Sequence, residues 1–187
     1  MFRKKDGRLE VLLAHPGGPY FQNKDAGIWT VPKGEVGEGE DLLARAKIEF
    51  EEEVGVAPRA AELIELGWIK QKGGKIVHAW AFEGDLKGDF KLVSNTFEME
   101  WPPRSGKMES FPEVDRASFF PVGMARIKIK AAQEVFLDRL IAALNSRPSG
   151  EERLFPRLLF QVGLKRKRTR RLKEQTFHPQ RLCDPAR

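Results

Sequence analysis

The chain has one cysteine, Cys183, so it cannot form an internal disulfide. Its apolar runs are all shorter than the roughly 20 residues that a membrane-spanning helix requires. The first residues, Met1 to Lys5, are basic and lead directly into a short strand, a pattern that does not resemble a secretory signal. We therefore expect a cytoplasmic protein in a reducing compartment, with no membrane partner.

Positive charge is concentrated towards the end of the chain. The formal net charge is +6, but residues 147–187 hold 12 Lys and Arg against 4 Asp and Glu, a net of +8, which leaves −2 for residues 1–146. A mildly acidic main part is not a nucleic-acid footprint. The run 165–173 could bind nucleic acid or anionic lipid, although we expect a solvated, poorly ordered tail instead. The predicted organisation is one domain over 1–145 and a basic tail over 146–187.

The most informative segment runs from Gly34 to Val56. Its glycines make a compliant loop, Glu40 and Asp41 place negative charge where a helix presents free backbone N–H groups, and Gly55 suits a left-handed C-cap. Between these ends, apolar residues recur at helical spacing, which predicts an amphipathic helix; they are Leu42, Leu43, Ala46, Phe50 and Val54.

Three glutamates crowd one edge of this predicted helix. Glu49, Glu52 and Glu53 stand at i, i+3 and i+4, where like charges repel one another. One interpretation is a solvated acidic face. The other is a site for Mg²⁺, a hard cation that binds carboxylate oxygens and retains water for a phosphate substrate.

The spacing decides between these interpretations. Along the chain it runs Gly34, five residues, Glu40, seven residues, Ile48-Glu49-Phe50, one residue, Glu52-Glu53, one residue, Gly55-Val56. This pattern resembles the Nudix box, the signature of Mg²⁺-dependent hydrolases of nucleoside diphosphates linked to another moiety. One position departs from it, because Ile48 stands where the family has arginine.

The resemblance implies an α/β (α+β) Nudix fold, in which a mixed β-sheet lies between helices. It implies that Glu49, Glu52 and Glu53 are catalytic and bind metal together with the backbone of Gly34, and that the cofactor is Mg²⁺, for which Mn²⁺ can substitute. The substrate class that the resemblance implies is a nucleoside triphosphate or dinucleoside polyphosphate. The general base varies within the family, so Glu49 and three later glutamates stay open for that role; the later ones are Glu98, Glu100 and Glu109.

Ile48 opens two alternatives to an active hydrolase. The family's arginine braces a box glutamate through a charge-assisted hydrogen bond, whereas isoleucine cannot; Arg45, four residues before Glu49, or the adjacent Lys47 could partly substitute. We expect activity that survives but is reduced. The alternatives are a Nudix domain that binds a nucleotide with little or no turnover, and an RNA-associated protein that uses the basic tail.

The flanking motifs suggest substrate contacts. The Trp-x-x-Pro-Lys-Gly lead-in ending at Gly34 and the Pro-Glu-Val-Asp-Arg stretch at 112–116 resemble the diadenosine tetraphosphate hydrolase subgroup. Lys33 suits phosphate as a point charge, and Trp29 is a second candidate contact. Arg104 lies in an aromatic and basic loop that could grip phosphate or stack on a base.

Two histidines have a functional and a structural interpretation. His15 could touch a substrate and His78 could be a ligand, but we expect His15 to be a loop residue without a catalytic task and His78 to be a sheet or core residue. The remaining predicted elements are a hairpin at Asp6-Gly7 with a short first strand and a hairpin across Lys72–Lys75. Further strands are expected near 92–101 and 111–120, followed by a helix over Ala131–Leu144.

Overall fold

The computed structural model describes residues 1–58, 62–86, 88 and 90–147. The basic run 165–173 and Cys183 lie outside the described residues, as does nearly all of the predicted tail. In the described part of the chain, no helix has the length and apolar character needed to cross a bilayer.

Seven strands and three α-helices make up the described fold. In chain order they are β1 (Phe2–Lys5), β2 (Arg8–Pro16), α1 (Leu42–Val54), β3 (Ile64–Lys70), β4 (Ile76–Ala81), β5 (Thr96–Glu100), β6 (Met108–Pro112), β7 (Val114–Pro121), α2 (Val122–Lys128) and α3 (Val135–Asn145), with a 3₁₀ turn at Ala131–Gln133 before α3.

The strands form three antiparallel groups, ordered β1-β2-β7, β3-β4 and β5-β6. Parallel pairing occurs between Phe2 and Glu83 and between Trp29 and Ile129, as isolated bridges. The hairpin expected at Asp6-Gly7 is confirmed, because both residues adopt positive φ (50° and 72°) between the paired β1 and β2, as a tight hairpin turn requires.

The main core lies between the strands and α3. Its largest fully buried side chains include Phe136 from α3 and Leu13 from β2. A smaller cluster joins Phe50 and Val54 of α1 to Leu12 and Phe82. The apolar stripe of α1 is therefore turned to the sheet, which leaves the glutamate edge beside the loop that precedes the helix.

Two elements differ from the sequence-based expectation. The loop expected after Trp101 leads into a strand, β6, which pairs with β5. The helix expected from Ala131 begins at Val135, after the 3₁₀ turn, whose buried Gln133 accepts a hydrogen bond from the backbone N–H of Val31 at 3.0 Å. That hydrogen bond links the turn before α3 to the segment that leads into the loop beginning at Gly34.

Candidate active site

The ends of α1 are fixed as the sequence indicates. The Asp41 carboxylate accepts the backbone N–H of Ala44 at 2.7 Å, and Glu40 accepts that of Gly37 at 2.8 Å. Gly55, at φ 79°, donates its N–H to the Glu51 carbonyl at 2.7 Å. These caps satisfy backbone groups that would otherwise lack partners, and they hold the three box glutamates in a defined rotation about the helix axis.

Glu49 packs directly against the backbone of Gly34. Its side chain is nearly buried, with the residue 9% exposed. A Cβ built on Gly34 would lie 1.5 Å from the carboxyl carbon of Glu49. Only glycine leaves room for this approach. The loop and the helix therefore meet where Gly34 contacts Glu49.

Glu53 is the most enclosed carboxylate of the site, at 7% exposed. It accepts the backbone N–H of Lys33 at 2.7 Å. Burial raises the pKa of Glu53 to about 7, the Lys33 N–H opposes that rise, and the nearby charges of Glu49 and Glu113 reinforce it. This carboxyl group therefore changes its charge near neutral pH when no cation is bound.

Arg45 contacts two of the box glutamates from one turn before Ile48. Its guanidinium donates to Glu49 in an i,i+4 ion pair, reaches Glu52 at 3.4 Å, and contacts the Glu35 carbonyl at 3.3 Å. The hydrogen bond to Glu49 raises the pKa of Arg45. Ile48 is 47% exposed. Of the two cations that the sequence offered as substitutes, Arg45 is the one that contacts the box carboxylates.

A divalent cation was expected at these carboxylates. Among the described residues, no group of three or more Asp, Glu, His or Cys side chains is arranged to hold a metal ion. The contacts explain this, because Arg45 pairs with Glu49 and Glu52 while Glu53 is turned to the Lys33 N–H. The donor set nevertheless fits such a cation in kind: oxygens on adjacent helix turns, against a glycine that leaves space beside them.

The three glutamates line an open cleft of about 550 Å³. Lys33 and Lys75 supply positive charge there, and Lys75 is paired with the exposed Glu35 at 2.8 Å. Loops and the start of β5 contribute further lining residues, which are Phe21, Asn95, Phe97 and Glu113. Carboxylates, cations and aromatic rings therefore converge on one cleft, which suits an anionic ligand with an aromatic part.

The structure does not bring every predicted contact to this cleft. Trp29 is 3% exposed and lies in the core, its ring packed between His15 (5.0 Å) and Phe120 (4.9 Å) and its indole N–H donated to Asp25. Arg104 is exposed at the tip of the β5-β6 hairpin and does not line the cleft. Substrate contact by these two residues finds no support in the geometry.

The later glutamates are also placed elsewhere. Glu98, Glu100 and Glu109 are exposed on the β5-β6 hairpin, and none of them lines the cleft. Glu100 instead accepts the Gly106 N–H at 2.6 Å. The later carboxylate in the cleft is Glu113, which the sequence interpretation missed although it lies in the quoted Pro-Glu-Val-Asp-Arg stretch.

His15 is not a loop residue. It lies in β2, fully buried, with Nδ1 2.6 Å from Asp115 and Nε2 2.8 Å from the Lys24 carbonyl. These contacts tie three segments together, so its role is structural. His78 lies in β4 as expected, but it is partly exposed and its ring stacks on Trp80.

Comparison with known proteins defines the class. The NUDIX domain family model matches residues 1–140. The chain therefore belongs to the NUDIX domain family, and its enzyme class is that of a Nudix-type pyrophosphohydrolase acting on nucleotide-linked compounds. The α+β fold and the family resemblance expected from the sequence are both confirmed.

Solved structures agree on the fold. A Caenorhabditis elegans Ap4A hydrolase in a binary complex is 21% identical, with a TM-score of 0.55 over 78% of this chain and 95% of that one. The NUDIX domain of Shewanella oneidensis NrtR, complexed with ADP ribose, is 14% identical, with a TM-score of 0.53 over 76% and 82% of the two chains. A comparison with curated protein sequences finds no match.

Proposed function

We propose that the protein hydrolyses a phosphoanhydride bond of a nucleotide polyphosphate in a reaction that depends on Mg²⁺ or Mn²⁺. The observation that carries this proposal is the convergence of three box glutamates, two lysines and two phenylalanines on one cleft. The flanking sequence motifs and the Ap4A hydrolase neighbour favour a dinucleoside polyphosphate within this class.

Glu49, Glu52 and Glu53, with the backbone of Gly34, would hold the cation. When bound, it would neutralise phosphate charge and polarise the scissile anhydride. Lys33 and Lys75 provide point charges for the remaining phosphates. The Lys75–Glu35 pair is exposed, and exposed pairs are weak, so Lys75 can exchange its partner for phosphate.

The chemistry needs a group that removes a proton from the attacking water. As the water oxygen bonds to phosphorus, the P–O anhydride bond breaks and the departing phosphate or nucleotide takes the electron pair. Glu49 is one candidate base. Glu113, which also lines the cleft, is the other candidate; Glu98, Glu100 and Glu109 do not line it.

The first test is a panel of nucleotide substrates with Mg²⁺, with products identified by mass in ¹⁸O-labelled water to locate the attacked phosphorus. Glu52→Gln should abolish turnover. Glu113→Gln should reduce it, whereas Glu98→Gln, the matched change on the exposed hairpin, should not. Turnover that is unaffected by Glu52→Gln would refute the assignment of the site.

Nucleotide binding without turnover is the competing function. It is favoured by the Arg45 ion pair, which already occupies the carboxylates that a cation would need, and by the missing arginine at Ile48. In that case nucleotides would bind with measurable affinity, and neither Mg²⁺ nor Mn²⁺ would support product formation from any member of the panel.

An RNA-associated role for the basic tail stays a prediction from the sequence, because 165–173 lies outside the described residues. Its test is a salt-sensitive RNA gel shift that disappears when the chain is truncated at Asn145. The same truncation should leave hydrolysis of small nucleotides unchanged.

A further inference from the structure

A β-bulge lies where β7 begins, next to the carboxylate cleft. In the pairing of β2 with β7, His15 lies opposite Arg116 and the next residue, Pro16, lies opposite Val114, so Asp115 is the extra residue on β7. Bulges bend a strand, re-aim its side chains and are over-represented beside active sites. The direction of the side chains just before β7 therefore depends on this bulge.

Glu113, which lines the carboxylate cleft, stands two residues before the bulged Asp115. Its backbone is fixed on both sides, because its N–H donates to the Asn95 carbonyl at 2.8 Å and its carbonyl accepts the N–H of Gly17 at 2.9 Å. Gly17 leaves no room for a side chain, since a Cβ there would lie 2.0 Å from the carbonyl oxygen of Pro112. A slip of one residue between β2 and β7 would turn Glu113 to the other face of the strand, so its place in the cleft requires the bulge.

The side chain of His15 holds the bulge from inside the fold. Its ring is fully buried, and Nδ1 lies 2.6 Å from the Asp115 carboxylate. The Arg116 guanidinium packs against the same ring, 2.8 Å from Nε2, and lies 3.4 Å from Asp115. Trp29 contacts the ring edge-on, with 5.0 Å between the ring centroids. Because a buried polar group that loses its partner is costly, this network favours the backbone arrangement in which Asp115 faces His15.

The other ring nitrogen of His15 reaches a second segment that lines the cleft. Nε2 lies 2.8 Å from the carbonyl of Lys24, whose own N–H donates to the Phe21 carbonyl at 2.8 Å. Phe21 lines the cleft, and its ring lies 5.6 Å from the Lys24 ammonium. One imidazole therefore links the beginning of β7 to the loop that carries Phe21.

We propose that His15 is a positioning residue of the carboxylate cleft. Its Nδ1 contact with Asp115 orients Glu113, and its Nε2 contact with the loop places Phe21. The inference rests on the proposed function, in which Glu113 is a candidate base. His15 does not touch the substrate itself, because it is 0% exposed and does not line the cleft.

Asparagine and glutamine at position 15 separate the two contacts. The Asn amide can take the place of Nδ1 and keep a donor for Asp115, whereas the longer Gln amide can take the place of Nε2 and keep a donor for the Lys24 carbonyl. His15→Gln should lower kcat for the best substrate of the panel roughly tenfold with KM nearly unchanged, because Asp115 loses its partner. His15→Asn should retain most of kcat and raise KM, because the loop that carries Phe21 loses its anchor. Asp115→Ala should reproduce the kcat loss of His15→Gln.

A double-mutant cycle measures whether the effect on kcat passes through Glu113. In the Glu113→Gln background, His15→Gln should bring little further loss. Losses that multiply in full would overturn the proposal. So would a wild-type kcat in His15→Gln, or a kcat loss in His15→Asn as large as that in His15→Gln.

Leu140→Ala is the control for lost stability. Leu140 is a buried core residue of α3 that does not line the cleft. Its truncation should lower the melting temperature and leave kcat and KM unchanged at a temperature where every variant is folded. The same kinetic changes in Leu140→Ala would overturn a specific role for His15.

Amide hydrogen exchange in the substrate-free protein separates this inference from the proposed function. His15→Gln should speed exchange at the N–H groups of Gly17 and Glu113 more than at core amides, whereas His15→Asn should not. A selective increase supports the positioning role even if the wild type turns over no nucleotide. Unchanged exchange at both amides in His15→Gln overturns it.

Discussion

Arg45 offers the sharpest test of how this site works with isoleucine at position 48. Arg45→Gln removes the ion pair to Glu49 and the longer contact to Glu52 while keeping a side chain of similar length and helix propensity. Glu49 then retains its enclosed position against Gly34 without its positive partner. We expect kcat to fall, because the carboxylate loses the contact that fixes its orientation.

The expected loss of kcat in Arg45→Gln depends mainly on the contact between Arg45 and Glu49. Glu49 is nearly buried, so its bond to Arg45 is charge-assisted and shielded from water. The contact to Glu52 is long and its partner is partly exposed, so it adds little. One charge-assisted hydrogen bond of this kind corresponds to roughly a tenfold loss in rate when it supports the reacting geometry.

The assay measures kcat and kcat/KM at saturating Mg²⁺ for the best substrate of the panel, in the wild type and in Arg45→Gln, Ile48→Arg and the double variant. Ile48→Arg should exceed the wild type, since a new arginine four residues before Glu52 can pair with it. Its gain should be larger in the Arg45→Gln background, because the new arginine there replaces a lost partner of the carboxylates instead of adding to one already present.

Lys47→Gln is the matched control, an equal loss of charge on the same helix at an exposed position, and it should leave kcat unchanged. A wild-type kcat in Arg45→Gln, or an equal gain from Ile48→Arg in both backgrounds, would refute a bracing role for Arg45. Equal turnover of the wild type and Ile48→Arg would show that the absence of an arginine at position 48 does not reduce activity.

Three further predictions concern single residues. Gly34→Ala should abolish turnover, because the new Cβ would overlap the Glu49 carboxyl group. Its melting temperature should change only slightly, so the loss is one of activity and not of folding. With metal removed by a chelator, the free energy of unfolding of the wild type should fall by at most about 3 kcal/mol as the pH rises from about 4.5 to about 7. The reason is the raised pKa of Glu53, because the folded state then holds a proton that the unfolded chain releases in this pH range. Denaturant titrations measure the fall, and Glu53→Gln should lack it. Trp29→Phe should lower the melting temperature without a selective change in KM, because Trp29 is a core residue.

The elements near the box were predictable because local chemistry determines them. Asp41 and Gly55 mark the ends of α1, and the hairpin at Asp6-Gly7 depends on two residues that tolerate positive φ. Strand β6 was missed because every residue except Phe111 is exposed. A strand that hydrogen-bonds to β5 but buries almost nothing leaves no alternating pattern for the sequence to display.

The helical part of the site was predictable for the same reason. Residues three and four apart on one helix are neighbours whatever the tertiary fold, so the proximity of Glu49, Glu52, Glu53 and Arg45 follows from spacing alone. The lining that comes from later in the chain was not predictable. Glu113 lines the cleft from a position 60 residues after Glu53, directly before β7, which pairs with β2. The Pro-Glu-Val-Asp-Arg stretch that contains Glu113 carries a family resemblance, but that resemblance assigned this glutamate no role.

The position of Arg45 determines which carboxylates are paired before a cation binds. Arg45 contacts Glu49 and Glu52 in the same cleft that we propose for the substrate phosphates. A cation at these carboxylates would compete with the guanidinium for the same oxygens. Without a cation, the ion pair with Arg45 offsets the cost of leaving the nearly buried Glu49 unpaired. We propose that Arg45, three residues before Ile48, compensates for the arginine that the family pattern has at that position.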